Sequence, residues 1–433
     1  MPFFLFILLN VVLFIRPAEL VPAVRALPIY QVVIIACVFA CFQQIVDQLD
    51  VNRLKRNPIS ACVVGMLAAV ALSHMSHLYL WGTRHYTTEF SKVIIYYLVM
   101  MSVITSVRRL EQFFVWLLGI LTVMAALSMA HHYGVIYIPE LDSLTQREVD
   151  GETGEIREFA RLQSTGIFND PNDFGMILVV GVVLSFHRFS RAGFFERILL
   201  IALAALFSYM IYLTKSRGAA LAFVAGAGVL VYAKWGLRKA IFASVFILPV
   251  GAAIFMSRDD GGMEEGTAQA RVQLWAEGMA LVKQSPLFGL GSHYTYADEV
   301  GQVAHNSFVH CYAELGLIGG TVFFGCFYCA FMLMWQHIRD PEVLADPLLR
   351  ARTATALAIL SGFTVSMLTL SRAYVVPTYM VFGIVAATAR LNGVSVDLPL
   401  PRLNFKYSQR LVQASALFFV VTYVYIKFAV RWS

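Results

Sequence analysis

Three short stretches of this chain set phosphate-holding and proton-taking residues beside long apolar runs. In "YLTKSRGAALAF", residues 212–223, Lys215 and Arg217 share a turn of a few residues between two apolar segments. So short a turn cannot swing its side chains far from the bundle. A guanidinium there can hold two phosphate oxygens at once, whereas a purely interfacial basic side chain would snorkel to headgroups. In "GTAQARVQLWAEGMALVKQSPLFGLGS", residues 266–292, Thr267 suits an N-cap and Arg271 follows it closely. Near a helix N-terminus the dipole and a guanidinium both favour an anion; the bland reading is a solvent-facing arginine. In "VAHNSFVHCYAELGLIGG", residues 303–320, His305 and Asn306 stand just before an apolar helix containing Gly316-x-x-x-Gly320. Histidine titrates close enough to neutral pH to take a proton from a reacting hydroxyl, although a membrane-edge histidine can also be merely structural.

Other combinations promise less. His310 and Glu314 are i,i+4 neighbours with Cys311 beside them, but no third ligand completes a set, so no metal is expected. Cys326-x-x-Cys329 lies inside the apolar run "TVFFGCFYCAFMLMW" and reads as packing. The six cysteines follow no regular spacing and suggest no disulfide framework. There is no nucleotide-binding loop, and no cofactor is implied.

The elements that must carry these residues are membrane spans. Of 433 residues, 59% are hydrophobic and only 14% charged, which excludes an ordinary soluble domain. The net charge of +6 is accounted for by basic loops and gives no reason to invoke nucleic acid. Apolar runs of spanning length lie near 3–15, 28–46, 60–80, 91–107, 113–133, 173–189, 197–213, 218–234, 238–256, 314–336, 352–370, 374–390 and 411–429. The expected fold is therefore all-α, a polytopic transmembrane bundle of about 12–13 spans. The first run lacks a basic start and a cleavage site, so it reads as a span and not as a removed signal peptide.

Two polar segments interrupt the runs, at 136–172 and 257–313, and divide the chain into N-terminal spans (1–135), a core (136–336) and C-terminal spans (337–433). Alternate short loops are rich in Lys and Arg, among them Arg53, Lys55 and Arg56, Arg108 and Arg109, and Arg390 with Arg402. The positive-inside bias makes those loops cytoplasmic, so both polar segments and "HNSFVH" fall outside. Arginines that remain in translocated turns, such as Arg217 and Arg372, then invite a functional reading.

In the first outer segment, "REVDGETGEIREF" at 147–159 suggests a hairpin from its Asp-Gly and Thr-Gly pairs. In "RLQSTGIFNDPNDFG", 161–175, Asp170, Pro171 and Asp173 fit N-cap, N1 and N3 of the next helix. Asn172 or Asp173 facing a substrate is the sharper alternative, and Arg161 is a further substrate-facing candidate. In the second segment Ala268, Val272, Trp275, Met279 and Val282 recur at helical spacing up to Ser285-Pro286, an amphipathic helix lying along the outer surface.

These pieces resemble the O-antigen ligase and polymerase superfamily. The resemblance rests on Gly166 with Pro171-Asn172, Ser216-Arg217-Gly218, Arg271 with Trp275, "SPLFGLG" at 285–291 and "HNSFVHCYAELGLIGG", in the family's order over about residues 161–320. It implies a bacterial inner-membrane enzyme with its active site facing the periplasm. The implied reaction is an inverting, metal-independent glycosyl transfer from undecaprenyl diphosphate in lipopolysaccharide synthesis. By position it assigns Arg217 and Arg271 to the donor diphosphate and His305 to catalysis, with Lys215, Asn172, Asn306, Arg161 and Arg372 as possible substrate-facing groups. The acceptor is the lipid A core for a ligase. For an O-antigen or exopolysaccharide polymerase it is a carrier-linked glycan; the ligase is favoured. A polysaccharide transporter or flippase would instead require ionisable residues or broken helices near the membrane midplane.

Overall fold

A computed structural model describes residues 1–141, 145–149, 156–257, 265–292, 300–398 and 400–431, with the backbone alone at 22, 145–149, 156–159 and 265–268. Among the described residues, and setting aside helices of five residues or fewer, fourteen helices follow in order. They are α1 (Pro2–Phe14), α2 (Ile29–Gln48), α3 (Pro58–Met75), α4 (Leu80–Val103), α5 (Val107–His132), α6 (Pro171–Phe189) and α7 (Phe194–Leu213). After these come α8 (Arg217–Trp235), α9 (Leu237–Phe255), α10 (Glu265–Gln284), α11 (Ser307–Arg339), α12 (Pro347–Met367), α13 (Val376–Ser395) and α14 (Phe405–Ala429).

Each of the apolar runs anticipated from the sequence coincides with one of these helices. Helix satisfies every backbone polar group within the segment, which hydrocarbon demands. Polar residues mark the starts: the side chains of Asn57, Ser106, Asp170, Ser216 and Asn404 each accept from a first-turn backbone N–H. Among the described residues, ten helices are long and apolar enough to cross a membrane. The count falls below 12–13 for identifiable reasons. Helix α1 has 13 residues, α4 opens with the polar stretch that contains Arg84, Glu89 and Lys92, and α13 carries Thr378, Thr388, Arg390 and Asn392. Helix α13 is buried along most of its length, so it can be less apolar than a lipid-facing helix.

The anticipated hairpin is present as β1 (Thr145–Val149) antiparallel to β2 (Ile156–Ala160), with Thr145 opposite Ala160. Its Asp-Gly and Thr-Gly pairs lie outside the described residues.

The chain forms two compact units. Unit 1 comprises Met1–Phe42, Ser102–Met263 and Ile338–Ser366; unit 2 comprises Gln43–Met101, Glu264–His337 and Met367–Ser433. In unit 1, small residues bring helices together. A Cβ on Gly175 would lie 2.6 Å from that of Ala219, and one on Gly362 would lie 3.0 Å from the Ala222 carbonyl. In unit 2, Gly325 meets Cys62 and Gly319 meets Ala69, drawing α11 against α3. By contrast, α2 and α9 expose Val32, Phe39, Phe242 and Phe246. So much bare apolar surface suits lipid contact.

Within unit 1 the loops sort to opposite ends. At one end of unit 1, Tyr133 bonds Tyr209 and Leu162 N donates to Leu213 O. At its other end, Glu111, His187, Arg191 and Thr355 form one hydrogen-bonded group.

Candidate functional site

In unit 1 the geometry of one turn rests on a buried arginine. Three residues, 214–216, separate α7 from α8. Lys215 takes a left-handed φ of 50° there, which reverses the chain, and Ser216 Oγ caps α8 by accepting from Ala219 N at 3.2 Å. Arg217 is therefore the first residue of α8 and not part of the turn itself, and its guanidinium lies 5.5 Å from the centre of the Phe255 ring. An anion beside Arg217 would meet both a guanidinium and the positive end of a helix dipole.

Arg161 braces this turn. It is 5% exposed; Nε donates to Thr214 O at 2.9 Å and Nη2 to Asn172 Oδ1 at 2.9 Å. Asn172 is thus engaged by a protein side chain at the start of α6, where Asp170 acts as the anticipated N-cap, accepting from Asn172 N at 2.7 Å. Gly166, at φ 65°, passes over α1: its N–H donates to Glu19 Oε2 at 2.7 Å, and Glu19 in turn pairs with Arg16 at 2.8 Å. The structure brings Arg161, Asn172, Lys215 and Arg217 to one end of unit 1.

In unit 2, α10 forms as anticipated and stops at Gln284, but it begins at Glu265. Thr267 therefore lies inside the helix and is not its N-cap. Arg271 falls in the second turn, where the dipole's effect on an anion is already weak. The arrangement expected at Arg271 occurs at Arg217 instead. Helix α10 does not simply float on a surface. Met279 and Val282 bury against Val309, Tyr312 and Ile426, and Trp275 Nε1 donates to Ala304 O at 2.7 Å. That last bond ties the helix bearing Arg271 to the residue preceding His305.

His305 has a left-handed φ of 49° and is half-buried. The turn is possible because α11 starts immediately after it: Asn306 Oδ1 accepts from Phe308 N at 3.0 Å and Val309 N at 3.2 Å. Asn306 is 4% exposed and works as a cap, so its position is structural. Ser307 Oγ donates to Leu370 O at 2.5 Å and accepts from Arg372 N at 2.9 Å. Arg271, His305, Asn306 and Arg372 thus lie on neighbouring segments at one end of unit 2.

Helix α11 breaks at Gly316, where φ is 66° and ψ −169°. The "SPLFGLG" segment repairs the break. Leu317 N donates to Pro286 O at 2.8 Å and Ile318 N to Leu287 O at 3.2 Å, while Gly291 N donates to Glu314 O at 3.0 Å. Orphaned helix groups are thereby satisfied by an irregular loop, and the short helix 307–315 is held at the mouth of the longer one. Sequence reasoning noticed both glycine motifs but not that they meet. It also left His310 and Glu314 as a weak metal candidate; both are buried, with Nε2 3.2 Å from Oε2, an intrahelical pair.

Residues 201–324 match the protein family described as O-antigen ligase. The match covers Arg217, Arg271 and His305 and supports the resemblance read from the sequence. No curated protein matches the chain. The chain is thus a multi-pass membrane protein in which residues 201–324 are similar to the O-antigen ligase family.

Proposed function

We propose that the protein is an inverting, metal-independent glycosyltransferase of the bacterial inner membrane that works on its periplasmic face. It would move a glycan from undecaprenyl diphosphate to a hydroxyl of the lipid A core. The observation that carries this reading is the O-antigen ligase match, which spans the three residues whose chemistry the transfer requires.

The acceptor oxygen attacks the anomeric carbon, the bond from that carbon to the diphosphate oxygen breaks, and the electron pair leaves with undecaprenyl diphosphate. Arg217 and Arg271 bind diphosphate oxygens and stabilise the charge that develops there. His305 takes the proton from the acceptor hydroxyl, a role typically worth about 10²–10⁴-fold. The leaving group is already activated as a diphosphate, so transfer in excess EDTA should match transfer in its absence. Loss on chelation that a single added metal restores would reject metal independence.

A transporter is disfavoured by where the acids lie. Among the described residues, the carboxylates of the ten spanning helices are Asp47, Glu111, Asp173, Glu196 and Glu314. The first four lie within two turns of a helix end, and Glu314 precedes the break at Gly316. Beyond that break, Leu317–Arg339 supplies about 35 Å of helix, enough to cross by itself. The break therefore belongs to the edge of the span.

Deleting the gene and analysing lipopolysaccharide together with carrier-linked glycan tests the reading. Polymer accumulating on the carrier is the expected result. Single repeats accumulating would replace the ligase with a polymerase, and unchanged glycans in both pools would reject glycosyl transfer.

A further inference from the structure

At the end of unit 2 away from α10, a cavity of about 300 Å³ opens between the start of α3, the last turn of α4 and the C-terminal half of α13. Arg53, Arg56 and Arg390 line it, and no carboxylate does among the described residues. Arg390 is fixed at the wall by its Nη2, which donates to Met101 O in the last turn of α4 at 3.3 Å. Arg53 reaches Asp47 at 3.4 Å, but both side chains are largely exposed, 61% and 45%, so solvent screens that pair. Asn57 and Ser60 add polar groups from the start of α3. The remaining wall is apolar: Pro58, Met101, Leu333, Ala386 and Leu400.

Three guanidinium groups facing an apolar wall at a helix-bundle end match a charged headgroup with a hydrocarbon tail. We propose that this cavity binds an anionic phospholipid, with its phosphate against Arg53, Arg56 and Arg390 and an acyl chain along Met101, Leu333 and Leu400. Free phosphate shares the headgroup chemistry but leaves the apolar wall uncovered. The basic-loop bias places this end in the cytoplasmic leaflet, where anionic lipids attract basic residues. The cavity shares no lining residue with Arg217, Arg271 and His305, and its occupancy can be read without any transfer reaction.

The test is native mass spectrometry of the full-length protein purified in neutral detergent. Phosphatidylglycerol should bind, and phosphatidylcholine at the same concentration should bind about tenfold less. Charge-assisted guanidinium–phosphate bonds make an Arg53→Gln/Arg56→Gln double variant lose about tenfold in affinity, and Arg390→Gln a comparable amount. The double variant should melt as the parent does without lipid, because both side chains are exposed. An Arg238→Gln/Lys239→Gln variant removes the same charge at the exposed start of α9 and should change binding less than about twofold. Equal loss in the two double variants would reduce the effect to general surface charge and overturn the site. So would phosphatidylcholine binding as tightly as phosphatidylglycerol. Displacement of the lipid by millimolar inorganic phosphate would assign the cavity to free phosphate and overturn the lipid.

Discussion

Gly289 and Gly316 cross backbone against backbone. A Cβ on Gly289 would lie 2.3 Å from the Glu314 carbonyl, and one on Gly316 would lie 2.4 Å from the Leu287 carbonyl carbon. Both residues have positive φ, 70° and 66°. An L side chain at either place meets strain and a clash against backbone, which cannot rotate aside.

Alanine at Gly289 or Gly316 should therefore destabilise the protein by about 2–5 kcal/mol. The measurement is the melting temperature in detergent together with the yield of folded protein. Gly119→Ala and Gly228→Ala, where a Cβ meets nothing within 4 Å, should melt within a few degrees of the parent. Parental melting in both Gly289→Ala and Gly316→Ala would show that the crossing is dispensable.

Arg217 and Arg271 test geometry against charge. Lysine keeps the charge but loses the planar fork suited to phosphate oxygens. Arg217→Lys and Arg271→Lys should each lower transfer about tenfold or more at unchanged protein level. His305→Ala should retain donor binding while transfer falls about 10²–10⁴-fold. Near-parental turnover in both lysine variants would refute a diphosphate clamp. Lost donor binding in folded His305→Ala would make the histidine a ligand and not a base.

Arg161 should prove a positioning residue, because its guanidinium spans Thr214 O and Asn172 Oδ1 and so holds the turn before Arg217. Asn172→Ala removes one of these bonds and should cost about 1 kcal/mol; Arg161→Gln strips charge-assisted bonds from a buried site and should cost about 1–3 kcal/mol. If the effect runs through the turn, donor affinity should fall in both variants, more in Arg161→Gln. Melting lowered as expected with donor affinity intact would leave Arg161 purely structural.

Topology is open to thiol labelling, since all six native cysteines are buried. Tyr137→Cys and Gln302→Cys, both at exposed positions, should react with a membrane-impermeant maleimide in intact spheroplasts. Lys239→Cys should react only after the membrane is permeabilised. The opposite pattern would put the proposed chemistry on the cytoplasmic side.

Much of this molecule was legible in its sequence because membrane spans obey a local rule. An apolar run in hydrocarbon must become helix, so each anticipated run coincides with one, and the capping residues Asp170 and Ser216 set starts that the chain keeps. The strands β1 and β2 of the anticipated hairpin are likewise present. Arg217, Arg271 and His305 could be named because they stand in short motifs of fixed order. Their surroundings could not. Whether Arg217 starts a helix or sits in the turn before it depends on where Ser216 finds a partner. The start of α10 at Glu265 displaced Arg271 from the helix end that local propensity offered. The bond from Arg161 to Asn172, the tie from Trp275 to Ala304, and the crossing of Gly289 with Gly316 join residues 11, 29 and 27 positions apart. Periodicity is silent about such pairs, because only packing decides which orphaned donor meets which carbonyl.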